Sequence, residues 1–125
     1  MPEFKIEIPI TNTKNSFIIP IDEVRFNNGE GKIVLKESVR NKDVFLLSDP
    51  GNHSITYNMF GYMNHKSPDD HFQDVIRVLC AVRNQSRDVS LVMPLLYSSR
   101  QHKREGRESL DCAMTLQELE RLNVS

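Results

Sequence analysis

Ser67–Pro94 reads SPDDHFQDVIRVLCAVRNQSRDVSLVMP. A helix start is written into its first four residues. Ser67 suits the N-cap, Pro68 the first helical position, and Asp69 and Asp70 the positive end of the helix dipole. Phe72, Val75, Ile76, Leu79 and Val82 then recur at helical spacing, which marks a core-facing stripe rather than a cofactor box. Asp88–Pro94 follows as a short buried strand. Upstream, VFLLS (Val44–Ser48) is another continuous apolar run, of the kind covered on both faces in parallel sheets. Strand, helix, strand in this order predicts a βαβ unit and a parallel sheet, an α/β fold.

Working outward, FNNGEG (Phe26–Gly31) is a turn, because Asn and Gly tolerate positive φ. KIVLKES alternates and reads as a strand, and Asn41–Asp43 make another turn. Apolar runs before residue 24, broken by Pro9 and Pro20, read as edge strands or a packed extended arm over residues 1–23. Asp49–Lys66 reads as one long irregular loop, with His53 and His65 as plain loop residues. SLDCAMTLQELERLNV is the last helix, with Ser109 as cap, Asp111 in its first turn, and an apolar face of Cys112, Ala113, Leu116 and Leu119. The chain then stops where another strand is expected. An unfinished sheet exposes an edge and apolar faces, so self-association of the isolated chain is expected.

The 125 residues suit one domain able to bury a core without metals or disulfides. Hydrophobic residues are 38% and charged residues 26%, a globular composition. The net charge of -1 argues against a general nucleic-acid coat protein. MPEFKIEIPI carries charges throughout, so it is neither a signal peptide nor a membrane span. Cys80 and Cys112 lack zinc-ligand spacing and read as two buried, reduced thiols of a cytoplasmic protein.

One segment departs from this neutral background. Between Arg100 and Arg107 lie Arg100, Lys103, Arg104 and Arg107 against Glu105 alone, a net of +3. Arginine forks pair with phosphate oxygens, lysine adds a point charge, and a following helix N-terminus adds free N–H groups. A solvated surface loop remains the plain alternative. No glycine cradle of the GxxxxGK or GxGxxG type is present, so any phosphate is held by arginines and a helix end. In the turn, Asn28 and Glu30 could read a purine edge and Phe26 could stack on its ring, or the segment is simply structural.

Three stretches carry a family likeness, in order and spacing. They are FNNGE at Phe26–Glu30, ESVRNKDVFLLS at Glu37–Ser48 and MPLLYSSRQHKREGRES at Met93–Ser109. From Val24 to Val124 the chain resembles the N-terminal half-domain of ribose-phosphate pyrophosphokinase (phosphoribosyl pyrophosphate synthetase), in a divergent bacterial-type branch. The resemblance implies a Rossmann-like, phosphoribosyltransferase-like half-domain of three αβα layers, incomplete at its C-terminus, with an ATP-site domain over residues 24–125. Such enzymes move the β,γ-diphosphate of MgATP to the 1-hydroxyl of ribose 5-phosphate, at a pocket shared across a subunit interface of a homo-oligomer. By likeness Phe26, Asn28 and Glu30 contact adenine. Arg100 and Gln101 bind ATP from the other side, with His102, Lys103 and Arg104 beside them. Ser38 and Arg40 fall where the family binds a regulatory phosphate or ADP.

There are departures. His102 replaces the usual Asp, Ser109 replaces the usual Pro, Asp49–Lys66 is longer, and the usual N-terminal start is not recognisable. The family's metal-binding histidine, its mobile catalytic loop and its ribose-phosphate loop lie beyond Ser125. The chain is therefore expected to hold part of an ATP site, no catalytic residue and no Mg2+ ligand, and to be inactive alone. The alternative is a non-catalytic nucleotide-binding or regulatory subunit-interaction module. A nucleic-acid or membrane partner is not expected.

Overall fold

The computed structural model describes residues 17–125. The expected strand or arm in Phe4–Ile10 lies outside the described residues. Strands β1 (Ile21–Arg25) and β2 (Gly31–Leu35) form an antiparallel hairpin across the Phe26–Glu30 turn. Strand β3 (Asp43–Leu47) pairs in parallel with β6 (Asp88–Val92). Helix α1 (Pro68–Val82) lies between them in the chain, and α2 (Asp111–Arg121) closes the order. The fold is thus mixed α/β with a parallel strand pair and two helices.

The helix signals act as read. Ser67 accepts from the Asp70 N–H while the Asp70 carboxylate accepts from the Ser67 N–H, a complete capping box with Pro68 at N1. Val75, Leu79 and Val82 are buried, joined by Val78 and His71, whereas Phe72 and Ile76 are only partly buried. The helix ends at Val82, where the C-cap Arg83 leaves helical geometry with ψ 134°. Asn84 takes a left-handed φ of 62°, and the N–H groups of Gln85 and Ser86 turn back to the Val82 carbonyl. One core results, from Val39, four α1 residues, Val89 of β6, and Leu119 and Leu122.

The sheet differs from expectation in its cover. Registered pairs Val44–Val89 and Leu46–Leu91 face the core, but Phe45 is 67% exposed, and Leu47 and Val92 on its face are also exposed. Among the described residues the strand is therefore packed on one face, not two.

Three further expectations are corrected. Asp49–Lys66 is not irregular throughout: Thr56–Met59 (β4) and Tyr62–His65 (β5) form an antiparallel hairpin. His65 thus sits on a strand, its ring stacked 4.4 Å from that of His53. The N-cap position of α2 is Leu110, without a side-chain cap, so Ser109 does not serve. The buried face of α2 is Cys112, Thr115 and Leu119, while Leu116 is half-exposed.

Cys112 is buried, but Cys80 is exposed, because it falls off the 75–78–79–82 stripe of α1. A thiol reagent added to the folded chain should label Cys80 alone, with Cys112 reacting only after unfolding. Mass spectrometry of the labelled peptides checks this, and two rapid labels would contradict the packing of α2.

Candidate functional site

The Phe26–Glu30 turn is closed by its own backbone. Phe26 N–H donates to the Glu30 carbonyl at 2.7 Å and Gly29 N–H to the Phe26 carbonyl at 2.8 Å. Gly29 has φ +94°, and a Cβ there would lie 2.8 Å from the Met59 sulfur, so only glycine fits. The Asn28 Oδ1 accepts from the Glu30 N–H at 3.0 Å, and both side chains are exposed, so the amide N–H2 and the Glu30 carboxylate are not used by that bond. Phe26 is 49% exposed.

Beside the turn sits a partly buried charge network, centred on the buried Lys66, that sequence reading missed. Lys66, whose side chain is 5% exposed, donates to Asp74 Oδ2 at 2.7 Å and to Glu23 Oε2 at 3.0 Å. Arg77 Nη1 reaches Asp74 Oδ1 at 2.6 Å. Arg25 approaches Asp70 at 3.8 Å and Asp74 at 3.6 Å, lies over the Tyr57 ring, and donates to the Gly29 carbonyl at 2.9 Å. The turn is thus tied through Arg25 to the first turns of α1. Burial pushes the Asp74 carboxyl up, but bonds from Lys66 and Arg77 and the charge of Arg25 outweigh it and hold it below the usual carboxylate range. Burial likewise opposes charge on Lys66, and Asp74 and Glu23 reverse this and raise it.

The basic loop leaves the carboxyl end of β6. Ser98 takes φ 61°, Ser99–Gln101 make one 3-10 turn, and the His102 Nδ1 pairs with the Ser99 carbonyl at 2.8 Å. Arg100, His102, Lys103, Arg104 and Arg107 are exposed and Gln101 is half-buried. Among the described residues none of the four cations forms an ion pair. Among the described residues no side chain caps the α2 N-terminus that follows, although Asp111 offsets its positive end. Tyr97 anchors the loop. Its ring stacks on Phe72 with centroids 4.4 Å apart, and its hydroxyl donates to Asp69. Burial, then the bond to Asp69, raises the phenol above its usual range, so it remains a donor at neutral pH.

Turn and loop are therefore fastened to neighbouring residues of α1, Asp70 and Asp69. Among the described residues no hydrogen bond or ion pair joins the turn to the loop directly. Ser38 and Arg40 stand apart from both. Both are exposed, and the Ser38 Oγ accepts from the Arg40 N–H at 3.2 Å. A shallow groove of about 470 Å3 includes Ser38, Glu37 and Gln85 but not Arg40. No group of three or more His, Cys, Asp or Glu side chains among the described residues could hold a metal ion. No helix among them is long and apolar enough to cross a membrane.

Residues 5–122 match the family model described as the N-terminal domain of ribose phosphate pyrophosphokinase. The match extends further toward the N-terminus than the quoted motifs. The structure is similar to the phosphoribosylpyrophosphate synthetase from Mycobacterium smegmatis, with a TM-score of 0.67 and 19% identity. The likeness, one of fold at that identity, covers 86% of this chain but 32% of that one, so this chain spans about a third of its length. No curated protein matches the chain. The family model covers nearly all of the sequence, and on that ground this chain belongs to the N-terminal domain family of ribose phosphate pyrophosphokinases.

Proposed function

We propose that this chain supplies ATP-binding loops to a ribose-phosphate diphosphokinase, the transferase that moves diphosphate from MgATP to ribose 5-phosphate and so forms phosphoribosyl pyrophosphate for nucleotide biosynthesis. The observation that carries the reading is the set of four exposed cations on Arg100–Arg107 with no acidic partner among the described residues. Phosphate oxygens supply the missing partners, and arginine forks bind them in parallel pairs.

In this reading residues 24–125 form the ATP-site domain. Arg100, Gln101, Lys103 and Arg104 hold the phosphates, and His102 stiffens their turn through Ser99. Phe26 stacks on adenine, the free Asn28 amide donates to a ring nitrogen, and the Glu30 carboxylate accepts from the exocyclic amine. Turn and loop serve different copies of a homo-oligomer. Magnesium arrives with ATP and would offset phosphate charge. Ser38 and Arg40 bind a regulatory phosphate, and the protein works in the cytoplasm. Ribose 5-phosphate and the transfer step belong to residues that this chain does not contain.

Incubated with MgATP and ribose 5-phosphate, the chain alone should form no phosphoribosyl pyrophosphate, and product formation would overturn the assignment. A second reading is a non-catalytic nucleotide-binding or regulatory module, for which the exposed face at Phe45, Leu47 and Val92 would serve subunit contact as it would in the enzyme. The intact mass of the native product separates the two readings. A mass far above 14.5 kDa supports the enzyme, and 14.5 kDa supports the module.

A further inference from the structure

The β4–β5 hairpin is tied to the Phe26–Glu30 turn. The Phe60 N–H donates to the Asn27 carbonyl at 2.8 Å, and the Met59 sulfur lies against Gly29. Its root is held as well, because Tyr57 lies under Arg25 and the Lys66 N–H donates to the Ile55 carbonyl at 2.8 Å. Tyr57 and Met59 are thus used in packing, and Phe60 is not: it is 62% exposed at the tip.

Phe60 is also an unfavourable choice for its position. The two-residue connection Phe60–Gly61 has φ of 50° and 81°, a pattern that favours Asn, Asp or Gly at both positions. A bulky side chain at positive φ is uncommon and costs conformational energy. The turn geometry does not call for this ring, and most of it is left in solvent. What the residue has is its place: its backbone N–H bonds to the carbonyl of Asn27, the residue that follows Phe26.

We infer that Phe60 is a second aromatic contact for the nucleobase at the Phe26–Glu30 turn, and that the hairpin is a fixed wall of the base site. This rests on the ATP reading above. Phe26 and Phe60 are two exposed aromatic side chains on turns joined by a backbone hydrogen bond, and the first turn also carries the exposed amide of Asn28 and carboxylate of Glu30. That combination suits a planar heteroaromatic ring with donors and acceptors on its edge better than a wholly apolar partner.

Phe60→Asn removes the ring and installs a residue that the turn prefers, so folding should be preserved, as checked by circular dichroism and thermal melting. Phe60→Tyr keeps the ring. Each intact chain is titrated with ATP and with inorganic tripolyphosphate. Phe60→Asn should weaken ATP binding about tenfold, the scale of one lost base–aromatic stack. Its tripolyphosphate binding should be unchanged, and Phe60→Tyr should bind ATP as the parent does. Wild-type ATP affinity in Phe60→Asn, with Phe26→Ala impaired, overturns the role of Phe60 and leaves the ATP reading standing. Equal loss for ATP and tripolyphosphate also overturns it. So does a changed sedimentation coefficient with unchanged ATP binding, which would make the tip a contact between copies. No ATP binding by the parent chain removes both readings.

Discussion

Asp74→Ala is expected to lower the stability of the folded chain by about 3–5 kcal/mol, the scale for removing one partner from a buried ion pair. The carboxylate is the hub of the network: Lys66 takes one oxygen at 2.7 Å and Arg77 the other at 2.6 Å. Its side chain is 14% exposed and that of Lys66 is 5% exposed, so water replaces the lost bonds less readily than at the surface. Among the described residues, without Asp74, Lys66 retains only the half-exposed Glu23, and Arg25, whose Nη2 already lacks a hydrogen-bond partner there, keeps only the more exposed Asp70. The urea midpoint should fall with an unchanged slope. An unchanged midpoint would mean that the network contributes nothing. Lys66→Met should cost less, because Asp74 keeps two arginines and the replacement is apolar.

The same network sets a pH dependence. The folded-state pKa of Asp74 lies below that of the unfolded chain. Its contribution is present above the unfolded value of about 3.9 and is lost as pH falls through the folded value. Lys66 is raised, so its contribution is present below the unfolded value of about 10.4 and is lost as pH rises through the folded value. Stability should therefore hold across the neutral range and decline at both ends, with a shallower acid limb in Asp74→Ala.

Arg100→Ala should weaken ATP binding by about 10- to 100-fold, the loss of charge-assisted hydrogen bonds worth roughly 1.5–3 kcal/mol. Arg100 is exposed and forms no ion pair among the described residues, so its removal should leave the melting temperature unchanged. Binding loss without stability loss separates a ligand contact from a structural one. Added salt should weaken parent binding and narrow the gap to the variant, as screening predicts. Unchanged ATP affinity would remove the basic loop from the site.

Local signals carried most of what could be read from the sequence. Ser67, Pro68 and Asp70 announce a helix start through bonds within four residues, and the β3–α1–β6 order follows from apolar runs on either side. Boundaries depended on single backbone conformations. Arg83 ended α1 by leaving helical geometry at ψ 134°, and Leu110 rather than Ser109 opened α2. The β4–β5 hairpin escaped because its strands, TYNM and YMNH, are polar and its turn is Phe-Gly rather than Asn-Gly. The candidate site was half legible. The turn and the loop stand out by composition, but what fastens them does not. Tyr97 meets Asp69 across 28 positions and Lys66 meets Glu23 across 43, pairings that no periodicity encodes.

The most direct test is a calorimetric titration of the intact chain with ATP, repeated with Arg100→Ala. The account predicts saturable binding by the parent and a loss of about tenfold or more in the variant. Parent and variant binding alike, or neither binding at all, would contradict it.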